Sequence, residues 1–104
     1  MIVTTCDTVP GREIDSTLGL CRGSAIRARH VGKDILAGLK NLVGGEMHEY
    51  SKLLAETREQ ALDRMVEDAQ AKGADAVVGV RYASTSISQG AAEFLAYGTA
   101  VKLS

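Results

Sequence analysis

Four side chains in this sequence have the chemistry to ligate a soft or borderline metal ion: Cys6, Cys21, His30 and His48. A thiolate or a neutral imidazole donates a lone pair to Zn(II) or Cu(I), and local ligand pairs usually come spaced as CxxC, HxH or HxxxH. None of those spacings occurs. His30 and His48 flank a helical pattern, and about 13 helical residues between them would hold them roughly 20 Å apart. Cys6 and Cys21 both fall in an N-terminal strand region, which makes them the better-matched pair. Two thiolates there would hold a soft ion such as Cu(I) or Zn, alone or with ligands from a second copy. Apolar packing is the competing role, because free cysteine is among the most buried residue types. The two histidines equally suit solvent-facing or hydrogen-bonding places at element ends.

Other chemistry is thinner. Val43-Gly44-Gly45-Glu46 precedes a helix start, where free N–H groups can take an anion. Glu46 and Glu49 already place negative charge there, the P-loop ending Gly-Lys-Ser/Thr is absent, and a helix–helix turn explains both glycines. Glu46 with His48, or Glu49 with Tyr50, would suit proton transfer in a cleft and equally suit a helix start. No GxSxG nucleophile elbow occurs, so the sequence reads as a non-enzyme. Arg22, Arg27, Arg29 and Lys33 form a modest basic cluster, fit for lining a ring pore or for a solvated face.

The elements that must position these groups follow from periodicity. The N-terminal part reads as strands and turns: residues 2–5, a turn at Val9-Pro10-Gly11, residues 13–16, then 18–29. In the last of these Leu18, Leu20, Ile26 and Ala28 share one parity, and Gly19 and Gly23 mark bulges or close backbone contacts. Ile35, Leu36, Leu39, Leu42 and Val43 then recur at helical spacing up to Gly44-Gly45. A longer helix spans residues 46–72, with Met47, Tyr50, Leu54, Ala61, Met65 and Ala69 as its apolar stripe and Gly73 as its stop. At 1.5 Å per residue it is about 40 Å long, against a diameter of roughly 33 Å for a compact chain of this size. Strands over residues 76–82 and 91–103 close the chain, joined by a polar, turn-prone link at 84–90. In the first of them Gly79 offers close approach to a helix. The class is α+β, in one domain over residues 1–104.

Composition sharpens this. Twelve Lys plus Arg against 13 Asp plus Glu leave a net charge of −1, which argues against a nucleic-acid binder. Aromatic residues make up 4%, namely Tyr50, Tyr82, Phe94 and Tyr97, so the core must be built from small and aliphatic side chains with those four as large anchors. A thin core beside an over-long helix predicts help from neighbouring copies. No basic and apolar leader precedes Asp7, no apolar run reaches the roughly 20 residues of a membrane span, and two cysteines are too few for a disulfide scaffold. The expectation is a soluble cytosolic protein with reduced thiols and no membrane partner.

Several stretches together resemble the YbjQ-type family of small bacterial and archaeal proteins, which carries a heavy-metal-binding label. They are Val9-Pro10-Gly11, the run from Lys33 to Gly45, Glu49-Tyr50, the helix through Arg58, Ala61, Leu62 and Met65, the run from Gly73 to Val80, and Tyr97-Gly98-Thr99-Ala100-Val101. The resemblance implies a dodecin-like subunit, a curved β-sheet packed on one long helix plus a shorter helix, assembled into a ring oligomer, a homopentamer. It implies no known reaction, and its metal label maps onto no motif of this chain. The leading expectation is a cytosolic homo-oligomeric binding and assembly module with soft-metal binding at Cys6 and Cys21. A small organic or anionic ligand in inter-subunit clefts is the alternative, and a small acid/base enzyme at Glu46, His48 or Tyr50 ranks last.

Overall fold

A computed structural model describes residues 1–27, 48–88 and 91–104. Strands β1 (Ile2–Val3), β2 (Ile14–Arg27), β3 (Ala76–Ser88) and β4 (Ala91–Leu103) form one mixed sheet in the order β1-β3-β4-β2, and helix α1 (His48–Ala71) lies on it. β1 runs parallel to β3, whereas β4 is antiparallel to both β3 and β2. The expected helix over residues 35–43 lies outside the described residues, as do His30, Gly44, Gly45 and Glu46.

Two glycines set which face each strand shows. Gly19 has φ +102° and sits at a register shift of β2 against β4. Gly79 has φ +62° and sits at a register shift of β3 against β4. Each bulge inserts one residue and reverses the alternation beyond it. On β3, Val77 and Val80 therefore both face the helix, while Ala76 and Val78 face the other way. On β2, Leu18 and then Cys21, Gly23 and Ala25 face the helix.

That corrects the parity expected for β2. Leu20 is 59% exposed and Ile26 54% exposed, on the face turned away from α1. The inward positions are small instead, and smallness is what the helix needs. A Cβ added at Gly23 would run into the main chain of α1 at Met65 N, Ala61 O and Arg64 C, so backbone rests directly on backbone. Gly79 makes no such approach to the helix; a Cβ there would meet only Asp7 Oδ1 at 3.8 Å. Around the Gly23 contact, Ala61, Met65 and Ala69 of α1 pack with Cys21, Ala25, Val77, Val80, Ala96 and Ala100, all buried.

The opposite face carries a smaller cluster, Val9, Ala76, Val78, Val101 and Leu103, with Ile14 against it. It is roofed by the turn Val9-Pro10-Gly11-Arg12, in which the Arg12 N–H donates to Val9 O at 3.1 Å and Gly11 takes φ +80°. Pro at the second position and left-handed Gly at the third are the preferences of a type II turn. Helix α1 ends in a Schellman motif: Gly73 N–H donates to Gln70 O and Ala74 N–H to Ala69 O, with Gly73 at φ +80°.

The polar stretch expected as a link is strand through Ser88. Ser84 pairs with Phe94, Thr85 with Glu93 and Ser86 with Ala92, so cross-strand bonding extends order through residues whose composition suits a turn. The two expected strands over residues 13–16 and 18–29 are likewise one strand, Ile14–Arg27. Long strands make a long molecule. The radius of gyration is 17.0 Å and the extents are 55 × 24 × 16 Å, whereas a compact chain of this length has a radius near 13 Å.

Candidate functional site

The two cysteines are placed on opposite sides of the sheet. Cys6 follows β1, and its carbonyl accepts the Gly79 N–H at 2.8 Å, which fixes it on the outer edge of β3. Cys21 pairs with Gly98 on β4, and Gly98 lies opposite the Gly79–Val80 bulge on β3. A line from Cys6 to Cys21 therefore crosses three strand spacings, about 14 Å. Within one chain the two thiols do not share an ion. Among the described residues no group of three or more His, Cys, Asp or Glu is close enough to hold a metal.

Their environments differ as much as their positions. Both are free thiols, Cys6 exposed and Cys21 buried. Cys21 Sγ–H points at Gly98 O, 3.6 Å away. Burial pushes the Cys21 thiol above its ordinary 9.0, and the Asp68 carboxylate adds to the rise against a smaller opposing effect of Lys72. A thiol held neutral is a packing group and a poor ligand, since the thiolate binds metal. Cys6 has the access that Cys21 lacks.

Sequence reasoning missed the clamp that ties α1 to the sheet. β2 is the last strand of the sheet, so its outward N–H and C=O groups need partners. The Arg22 N–H donates to Asp68 Oδ2 at 3.0 Å, and an Arg64 guanidinium N–H donates to Ser24 O. Residues 64 and 68 are one helical turn apart and residues 22 and 24 two strand steps apart, about 6 Å in each case. The two repeats match with Gly23 between them. Lys72 Nζ, 2.8 Å from Asp68 Oδ1, completes the arrangement. The Lys72 hydrogen bond first, and the Arg22 N–H second, hold the Asp68 carboxyl below its ordinary 3.8. The Asp68–Lys72 spacing is legible as a helical ion pair; its second partner on β2 is not.

The face of the sheet turned away from α1 is the other notable surface. Arg22, Tyr97 and Arg81 form one cross-strand row on it, followed by Ser24, Leu95 and Ala83, then Ile26, Glu93 and Thr85. Arg22 and Arg81 are exposed, and Arg81 Nη1 is tied back to Thr5 O at 3.0 Å and Val80 O at 2.8 Å. Arg81 was not among the expected basic residues; its signal is the strand pairing that brings it beside Tyr97. Arg27 is paired with Ala92 at the far end of β2, and Arg29 and Lys33 lie outside the described residues. Tyr82 is 51% exposed rather than an anchor of the core. The outer side of α1 carries Glu56, Glu59 and Asp63 with Lys52 and Gln60 around an open depression, an acidic solvated face.

No helix among the described residues is long and apolar enough to cross a membrane. The fold resembles the crystal structure of a protein of unknown function of the DUF74 family from Pediococcus pentosaceus, with a TM-score of 0.64, 14% identity, and coverage of 100% of this chain and 98% of that one. A UPF0145 protein of Methanosarcina acetivorans is 60% identical over 103 residues, covering 99% of this chain and 97% of that protein. UPF0145 proteins of Archaeoglobus fulgidus (56% identical, 99% and 95% covered) and Clostridioides difficile (59% identical, 99% and 92% covered) are similar throughout as well. The YbjQ_1 family model, described as "Putative heavy-metal-binding", matches residues 1–104. With a bulged sheet clamped to helix α1 and relatives of this similarity along its whole length, the chain belongs to the YbjQ family, the UPF0145 proteins.

Proposed function

We propose that the protein is a cytosolic, self-assembling binding module whose copies close into a dodecin-like ring, a homopentamer by family resemblance, and whose exposed Cys6 thiols supply a soft-metal site shared between copies. The observation that carries it is the exposed part of the sheet face turned away from α1, beyond the cluster under the Val9–Arg12 turn. Leu20 and Ile26 are more than half exposed there, on strands that run far beyond a compact outline. Large apolar side chains left exposed at both ends of one strand face, about 20 Å apart with Arg22 and Ser24 between them, suit contact with another copy. The metal half rests on the family's description and on Cys6 being the accessible thiol. One chain offers too few ligands among its described residues, so a site for Cu(I) or Zn(II) draws on more than one copy.

Native mass spectrometry with anaerobic Cu(I) and Zn(II) titration tests both halves. The expected mass is a multiple of 11.0 kDa. Metal uptake should be lost in Cys6→Ser and kept in Cys21→Ser. A single-chain mass at micromolar concentration would overturn the assembly, and undiminished uptake by Cys6→Ser would overturn the site.

The Arg22–Tyr97–Arg81 row supports a second reading, a small organic anion held between copies by two guanidinium groups beside a phenol ring. Protein from fresh lysate should then carry a non-metal mass that Arg22→Ala loses; its absence would dispose of this reading.

A further inference from the structure

The sheet has two edges, and they are treated differently. At the β2 edge, Asp68 and Arg64 take up the outward groups of Arg22 and Ser24. At the other edge, β1 is two residues long and pairs only with Ala76 and Val77. The chain after it adds bonds from the Gly79 and Val80 N–H groups to Cys6 O and Thr4 O. From Arg81 to Ser88 the outer side of β3 has no strand against it among the described residues.

The direction of each main-chain group on that stretch can be worked out. The Val80 N–H points outward to Thr4, and Arg81 Nη1 reaches the Val80 carbonyl. Alternation then turns the N–H and C=O of Tyr82, Ser84 and Ser86 outward as well. The far side of the sheet gives the same answer. Arg22 and Ser24 point outward from β2, so Gly23 bonds Ala96, and Ala96 has its groups turned away from its other partner, Tyr82. Three successive sites with six main-chain groups thereby face outward, with no strand against them among the described residues.

Natural sheets blunt such an edge with charges, Pro, a bulge that twists it away, or a covering element. Residues 82–86 carry no charge and no Pro, read Tyr-Ala-Ser-Thr-Ser, and are exposed throughout. Ile2 and Val3 are 38% and 37% exposed and Tyr82 is 51% exposed, so apolar surface continues along the same edge. An uncharged edge can meet another copy of itself, or another edge, without placing like charges opposite one another.

We infer that the outer edge of β3, residues 82–86, accepts a strand from a second copy of this chain, so that the sheet of one copy continues into the next by main-chain hydrogen bonding. A stoichiometric partner suits an edge that no other strand covers among the described residues, and a second copy is always present where the first is made. The inference rests on the self-assembly proposed above and specifies the surface through which it occurs.

The test separates the two. Ser84→Pro removes one outward N–H and leaves the bonds to β4 in place, which an edge strand tolerates. Ser84→Lys adds a charge to the edge and keeps the N–H. Thr85→Pro removes a bond to β4 and should unfold the sheet. With wild type assembled in native mass spectra, Ser84→Pro and Ser84→Lys should shift to 11.0 kDa with unchanged far-ultraviolet circular dichroism. In the wild-type assembly the Tyr82, Ser84 and Ser86 amides should exchange slowly with deuterium. Folded variants that keep the wild-type mass, or exchange at these amides as fast as in an unstructured peptide, would overturn the inference and leave self-assembly standing. A single-chain mass for wild type itself would remove both. A foreign protein mass lost on Ser84→Pro would assign the edge to another partner and overturn the second copy.

Discussion

Gly23→Ala is the substitution that tests the helix–sheet contact most directly. The added methyl would stand 2.6 Å from Arg64 C and closer still to Met65 N and Ala61 O, all main-chain atoms that no rotamer change can move. Relief requires α1 to withdraw from β2 by about 1 Å, and a gap of that size forfeits a quarter to a half of each contact it opens. Overpacking of this kind costs about 1–3 kcal/mol, and rigid neighbours place this site at the upper end. Withdrawal also stretches the Arg22–Asp68 and Arg64–Ser24 bonds, each worth about 1.5–3 kcal/mol as charge-assisted bonds if fully formed. Opposing this, Gly→Ala stabilises by about 0.4–1 kcal/mol through the unfolded chain. The destabilising effects win, with a net loss of about 3 kcal/mol. Urea unfolding at fixed chain concentration, which keeps any assembly contribution constant, should show that loss, and heating should show a Tm lower by about 12–24 °C. A Gly23→Ala protein within about 0.5 kcal/mol of wild type, the range of an indifferent surface change, would refute the backbone-on-backbone contact.

Four further outcomes follow from the same packing. Met65→Ala empties a fully buried position beside Gly23 and should cost about 2–5 kcal/mol in urea unfolding. Native protein should give one thiol fast to Ellman's reagent, Cys6, and a second only in denaturant. Because the folded Cys21 pKa is raised, its contribution to stability is present below 9.0 and is lost as pH rises through the folded value, a loss that Cys21→Ala should abolish. The lowered Asp68 pKa has the opposite sign: its stabilisation is present above 3.8 and disappears as pH falls below it, so Asp68→Asn should flatten the acid limb of the stability curve.

The candidate site was only partly legible. Cys6 and Cys21 look alike as residue types within one strand-rich segment. Their separation depends on strand order, which sends the segment after β1 to one edge and β2 to the other. The basic residues show the same limit: Arg22 stands beside Tyr97 through a pairing across 75 positions of sequence and shares a row with Arg81 only because Arg81 pairs with Tyr97 from the other side.

What the sequence by itself determined are the elements whose signal is local. The long helix follows from apolar residues at three- and four-residue spacing and a Gly stop, and observed α1, His48–Ala71, falls within the expected 46–72. The Val9-Pro10-Gly11 turn follows from fixed φ at Pro and permitted left-handed φ at Gly. β4 follows from its alternation, with bounds matching Ala91–Leu103. Tertiary structure decided which face each strand buries, because one extra residue at Gly19 or Gly79 inverts everything beyond it. It also decided that Ser84 to Ser88 is strand, since pairing with β4 supplies the bonds that composition does not predict. Most of all it decided that small residues line the helix side of β2. Periodicity rewards large apolar residues as core, but here Gly23 lets two backbones touch, and Leu20 and Ile26 are left facing outward.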